Sequence, residues 1–319
     1  MGVDGLIGNT GFVGGALLRQ HDFLGQFNSR NIVDSQGAAF DTLICAAAPG
    51  SMFEANTAPD QDLRQIEALC NTLAEVRSRR FVLISSIAVL ADFAGGDDES
   101  SDAFQTELAY GRHRRLLETF CAEHFAETLI VRLPALYGVG LKKNFLFDFL
   151  NPMPSMLNDA KMGQARSVVS AQDAKTLQKV YSLNEKNGMF VLNRADLRAS
   201  GAQSRIETAF GQQGLTALHF TNPDSTYQYY GVDRLWSDIE AASAQGIGVL
   251  HLATEPLAAR QIYRAVRGQD MPQTCARLHH EDMHTRHADL WDRSGPYIES
   301  AQQVEARVAA FLGNQRAAA

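Results

Sequence analysis

The chain is 319 residues long, 45% hydrophobic and 20% charged, with a formal net charge of −7. This is the balance of a globular protein with one large or two smaller domains, and its acidity argues against a nucleic-acid or anionic-membrane surface. No apolar run reaches the ~18 residues of a membrane span, no basic-then-apolar leader opens the chain, and Leu6 stands where a myristoylation signal at Gly2 prefers Ser or Thr, so a cytoplasmic location is expected.

Leu6-Ile7 reads as a short strand that runs into Gly8-Asn9-Thr10-Gly11-Phe12-Val13-Gly14, with a helix over Val13 to Arg19. Glycines three apart on a first strand-to-helix turn suit an anion, because the backbone can approach a pyrophosphate and the helix dipole favours its charge. Gln26-Phe27-Asn28 is a candidate second strand. Phe40 to Ala47 is an apolar run ending in small residues, and Asp60 to Val76 follows as an amphipathic helix. The basic cluster Arg77-Ser78-Arg79-Arg80 is expected to close that helix facing solvent. Arg80 to Ser85 then forms a strongly apolar strand, Tyr110 to Glu123 a helix and Thr128 to Leu133 another buried strand. Strands alternating with helices predict an α/β fold, a doubly wound parallel Rossmann-type sheet covered on both faces.

Beyond about residue 140 the alternation loosens. Pro152 and Pro154 interrupt the chain, and Ser167-Val168-Val169-Ser170 before Asp173 suggests a strand entering a capped helix. Gly248 to Ala253 with Glu255-Pro256 suggests a second such unit leading into a helix over Ala258 to Val266, and Ser300 to Leu312 a closing helix with a frayed end over 316–319. The expected division is a dinucleotide-binding domain over 1–140 and a smaller, irregular α/β substrate domain over 141–319, part of which returns to the sheet. Cys45, Cys70, Cys121 and Cys275 are scattered without a Cys-x-x-Cys pair; Cys45 and Cys70 read as reduced core residues.

In doubly wound sheets, ligands sit beyond the carboxyl ends of the strands. Ser86 at such an end and Tyr110 at the start of the next helix can therefore face one nicotinamide. The opening Gly-x-x-Gly-x-x-Gly, a strand-terminal Ser and Tyr110 followed by a basic residue four positions on resemble the short-chain dehydrogenase/reductase superfamily. The run Arg132-Leu133-Pro134-Ala135-Leu136-Tyr137-Gly138 and the Val169-to-Asp173 landmark are similar to its extended branch, the nucleotide-sugar epimerases and reductases. The resemblance covers most of the first 175 residues.

That resemblance implies an oxidoreductase or epimerase in which Tyr110 is the acid/base at a substrate oxygen and Ser86 hydrogen-bonds the same oxygen. A phenol ordinarily titrates near ~10, so the family's lysine lowers it and holds the nicotinamide ribose. Here that position is Arg114, whose planar fork is not equivalent. A nucleotide-binding regulatory or scaffold protein with a weakened site is the rival reading. The resemblance further implies a sugar-nucleotide-like or small polar substrate, with the helix carrying Tyr110 as a surface for a homodimer. Ser86 is followed by Ile87-Ala88-Val89 rather than an acidic pair, which argues against dehydratase chemistry and leaves reduction, oxidation and epimerisation open.

For the cofactor, the residue about 20 beyond the first motif glycine is Asn28, where an acidic side chain would bind the adenosine ribose and repel a 2′-phosphate. Asn28, Ser29 and Arg30 together favour NADP(H) over NAD(H), although a plain surface role for Arg30 fits nearly as well. Ala46-Ala47-Ala48 supplies small residues beside the adenine end, and Leu133, Pro134 and Leu136 are expected behind the nicotinamide. Lys142, Lys143 and Asn144 either meet a substrate diphosphate or form an exposed basic loop. His280, His284 and His287 would share a face if helical, yet a solvated or substrate-facing segment is favoured over a metal site, and no metal is expected. Tyr227, Tyr229, Tyr230 and Trp236 either line the substrate cap or pack in the core.

Overall fold

Leu6-Ile7, Leu43-Ile44-Cys45 and Phe81-Val82-Leu83-Ile84 are apolar at every position, a pattern that requires a sheet covered on both faces. In the computed structural model, which describes residues 3–317, these runs are central strands. One parallel sheet contains β1 (Asp4–Ile7), β2 (Gly25–Phe27), β3 (Ala39–Cys45), β4 (Arg77–Ser86), β5 (Thr128–Leu133) and β6 (Val249–His251), in the order β6-β5-β4-β3-β1-β2. Successive side chains point to opposite faces. Leu6, Ile44, Val82, Ile84 and Val131 pack with Leu17 of α1 (Phe12–Leu18) and with Leu235 and Ile239 of the helix Leu235–Ala244. Ile7, Leu43, Cys45, Phe81 and Leu83 pack on the other face with α3 (Pro59–Ala74) and α4 (Ala109–His124), through Ile66, Leu69, Leu73, Leu117 and Cys121. A short α2 (Met52–Thr57), too brief to show a periodic pattern, precedes α3.

The chain divides into two compact units. The first comprises the residues up to Leu141 with Thr226–Leu257 and His280–Phe311; the second comprises Lys142–Ser225, Ala258–His279 and the residues from Leu312. The second unit has its own core, including Met153, Leu177, Ile206 and Phe210, and a three-stranded antiparallel sheet of Met156–Leu157, Met189–Leu192 and Tyr181–Asn184. No helix among the described residues is long and apolar enough to cross a membrane.

Two expectations are corrected. Arg77 to Arg80 do not close a helix: α3 stops at Ala74 and these residues open β4, with Arg77 opposite Ala39 and Arg80 opposite Thr42. Exposed and partly buried positions alternate there, so a strand accommodates the charges by pointing them outward. Ser167 to Ser170 form no strand: Ser167 ends the helix Asp159–Ser167, and the Ser170 hydroxyl caps the helix Ala171–Val180 by accepting from the Asp173 N–H at 3.1 Å. Val168 and Val169 pack against the second unit's core rather than pairing with a strand. The closing helix runs Ala301–Ala317; Ala318 and Ala319, the end of the segment expected to fray, lie outside the described residues, as does Gly2.

Candidate active site

The sheet order places β1 between β2 and β3, so the connections leaving β1 and β2 run in opposite directions across it. A crevice at such a reversal, beyond the strand ends, is where doubly wound sheets bind ligands. Gly8 follows β1 directly with φ +96°, and a Cβ there would lie 2.5 Å from the Ala46 carbonyl oxygen. Gly14 sits where a Cβ would lie 2.1 Å from the Gly8 carbonyl oxygen. Both positions therefore need glycine for the loop to fold back between β3 and α1.

That loop opens onto a cavity of ≈500 Å³. Gly8, Thr10 and Gly11 form one wall, Asn28 and Ser29 a second, and Ala46, Ala47, Ala48 and Pro49 a third. Ile32 and the α3 residues Gln65, Ala68, Leu69 and Thr72 complete it. This last group was not among the expected site residues: one helical face offers an apolar slot between strand ends only after the sheet has formed. Asn9 turns its amide toward the end of β2, where its Oδ1 accepts from Asn28 Nδ2 at 3.2 Å. Arg30 is exposed and is not part of the cavity wall. Phe12, Val13 and Gly14 belong to α1 rather than to the wall; Val13 packs on the core. Leu133 is buried in the core, Pro134 is buried beside it, and Leu136 is partly buried against the same cluster.

The cavity's lining fits the pyrophosphate and adenosine half of a dinucleotide. Gly8 and Gly14 let the loop pack its own backbone tightly against Ala46 and Gly8, and small residues at 46–48 leave room for the flat adenosine side.

At the end of β4, the Ser86 hydroxyl accepts from the Ala88 N–H at 3.2 Å and lies close to the phenol of Tyr110 in the first turn of α4. The Tyr110 N–H is held by the Asn56 side-chain oxygen of α2 at 2.9 Å. One turn on, Arg114 lies with its guanidinium carbon 4.0 Å from the Tyr110 ring centroid. Arg114 is 2% exposed. Its Nη1 donates to Asp62 of α3, and its Nη2 donates to the carbonyl of Pro49, which itself lines the cavity. The strand-end serine, the phenol and the guanidinium thus form one chain of contacts, and its last member touches the cavity wall.

Burial raises the Tyr110 phenol above its ordinary value, while Arg114 and Ser86 act in the opposite direction and lower it. Both terminal nitrogens of Arg114 are engaged, by Asp62 and by the Pro49 carbonyl.

Outside this group, the Asn144 side chain caps the helix Phe145–Leu150, accepting from the Leu146 and Phe147 N–H groups at 3.0 and 3.2 Å. That commits its oxygen to the helix rather than to a substrate; Lys143 beside it is exposed. His280, His284 and His287 lie in irregular chain, not on a helix, with His280 Nδ1 2.9 Å from Thr226 Oγ1 and His284 Nε2 3.3 Å from the Tyr297 hydroxyl. Among the described residues no group of His, Cys, Asp or Glu is arranged to hold a metal ion. Tyr229 and Tyr230 are 1% and 0% exposed, and Trp236 stacks on His21 with centroids 3.9 Å apart, so these aromatics serve the core.

No family model matches the chain, and no curated protein does. Solved structures match along its whole length. RMD from Pseudomonas aeruginosa complexed with NADPH is 17% identical, covering 98% of this chain and 99% of that one, with a TM-score of 0.58. MoeE5 in complex with UDP-glucuronic acid and NAD is 13% identical, covering 98% and 100%, with a TM-score of 0.60. The dTDP-4-dehydrorhamnose reductase from Bacillus anthracis in complex with NADP is 13% identical, covering 98% and 99%, with a TM-score of 0.58. The fold is the one that extended short-chain dehydrogenases/reductases share.

Proposed function

We propose that this chain, built on the extended short-chain dehydrogenase/reductase fold, is an NADP(H)-preferring oxidoreductase or epimerase. Its substrate is a carbonyl or alcohol of a nucleotide-sugar or other small polar molecule, and it works in the cytoplasm. The observation that carries this reading is the contact chain Ser86–Tyr110–Arg114, whose last member donates to Pro49 in the cavity wall. The solved neighbours bound to NADPH, NADP, NAD or UDP-sugars support the classes of cofactor and substrate.

A bound nicotinamide dinucleotide supplies the hydride chemistry. Gly8 and Gly11 would hold its pyrophosphate, Ala46 to Ala48 and the α3 face would hold its adenosine side, and Leu133, Pro134 and Leu136 would serve its nicotinamide end. Ser86 orients the substrate oxygen. Tyr110, a phenol and therefore protonated at neutral pH, donates a proton to that oxygen as a carbonyl is reduced and takes it back in the reverse direction. Arg114 keeps a positive charge against the phenol, so that the phenolate formed after donation is stabilised.

Titration with NADPH and NADH, followed by turnover on a panel of carbonyls and nucleotide-sugars, tests the reading. Tyr110→Phe is expected to keep NADPH affinity while lowering kcat by about 10²–10⁴-fold. Unchanged turnover in that variant removes Tyr110 from the chemistry. The engaged nitrogens of Arg114 favour a second reading, a nucleotide-binding protein without turnover. NADPH binding with no activity across the panel selects it.

A further inference from the structure

Asp62 stands in the first turn of α3, where an acidic residue ordinarily faces solvent and complements the helix dipole. Here it is 5% exposed and faces α4. Its Oδ2 accepts from Arg114 Nη1 and lies 2.8 Å from His113 Nδ1, and both partners are 2% exposed. The same guanidinium is fixed from a second side by the Pro49 carbonyl, and it lies against the face of the Tyr110 ring. Burying such a charged group is seldom favourable for its own sake; an apolar pair of similar volume would join α3 to α4 as well or better. What an apolar pair would not do is hold a cation at one angle against a phenol.

We propose that Asp62 is a positioning residue for the Tyr110–Arg114 pair: it clamps the guanidinium against the phenol and offsets part of the positive charge that the phenol feels. This rests on reading Tyr110 as the proton donor. An arginine at this position needs a clamp, because its long planar fork has several directions open to it. The charged and polar groups that face the phenol are Arg114 from α4, Ser86 from the end of β4 and Asp62 from α3, with His113 bound to Asp62. Removing the carboxylate leaves the guanidinium uncompensated, so the phenol ionises more easily. In the presence of Asp62 the phenol stays a proton donor over a wider pH range.

The test is Asp62→Asn, which keeps the shape and removes the charge. Tyrosinate formation is followed by ultraviolet difference absorbance against Tyr110→Phe, in protein without cofactor or substrate. The Tyr110 titration is expected to move down by about one pH unit, and the alkaline limb of carbonyl reduction to move with it. A lower melting temperature with an unmoved titration overturns the proposal and leaves Asp62 as a tie between two helices. Should Asp62→Asn not fold, Asp62→Asn in an Arg114→Lys background, compared with Arg114→Lys alone, is expected to show the same downward movement, and an unmoved titration there overturns it equally. The titration is read without turnover, so an inactive wild-type protein with a shifted titration defeats the proposed reaction while leaving the coupling intact.

Discussion

Asn28 stands at the end of β2 on the wall of the cavity, and its amide is already placed: Oδ1 accepts from the Arg30 N–H at 3.0 Å and Nδ2 donates to Asn9. A neutral amide tolerates a 2′-phosphate where a carboxylate would repel it. Asn28→Asp is therefore expected to weaken NADPH binding at least about tenfold, ~1.4 kcal/mol, relative to NADH. Competitive titration of the two dinucleotides checks this, and an unchanged ratio removes Asn28 from cofactor selection. Residues of this kind are legible in a sequence because they sit at fixed distances from a strong local signal. Asp62 is not. Its partner Arg114 is 52 positions away, and nothing near either residue marks the pair.

At the scale of elements, the glycine turn shows why local spacing reads well. The approach of Gly14 to the Gly8 carbonyl takes place within one turn, so the sequence itself contains both parties. Gly14→Ala puts a methyl group at a distance of 2.1 Å that no Cβ tolerates, and backbone must move to admit it. We expect a loss of about 1–3 kcal/mol in urea unfolding together with weakened dinucleotide binding; a variant with native affinity would mean that the loop does not hold the pyrophosphate. The basic stretch from Arg77 to Arg80 shows the opposite case. Charges suit a solvated helix end and the outward positions of a strand equally, and pairing with β3 decided between them. The six-residue α2 is too short for a periodic pattern, yet its Asn56 holds the first turn of α4.

Across the first unit as a whole, a buried polar network ties the sheet to its helices and loops. Glu118 of α4 is 0% exposed; it accepts from Arg132 of β5 at 3.0 and 2.7 Å, from Ser85 of β4 at 2.6 Å and from Arg115 at 3.1 Å. Glu118→Gln leaves Arg132 without its counter-charge and is expected to cost about 3–5 kcal/mol of stability, measured by urea unfolding. On β6, His251 Nδ1 donates to the His284 carbonyl at 2.8 Å, while Nε2, 3.0 Å from Arg132, accepts from it. Only the neutral imidazole satisfies both bonds. Burial first, and then the Arg132 charge, hold His251 below the ordinary value of 6.5 in the native protein. The unfolded chain takes up a proton below about 6.5 that the native state refuses, so this contribution is complete above that pH and is lost as pH falls below it. Melting temperature should decline below that point, and the decline should be shallower in His251→Gln; equal slopes would contradict the assignment.

The sequence by itself determined the doubly wound parallel sheet and the glycine turn. Each is written in contiguous residues, as apolar runs, helical periodicity or fixed spacing, and burial then has one way to satisfy them. Tertiary structure alone decided which charges are buried together. It turned Asp62 inward to Arg114, buried the phenol of Tyr110 so that its ionisation is made harder, made Asn144 a helix cap and closed the cavity with one face of α3. Those outcomes depend on desolvation and on partners brought together from distant parts of the chain, and neither is present in the linear order of residues.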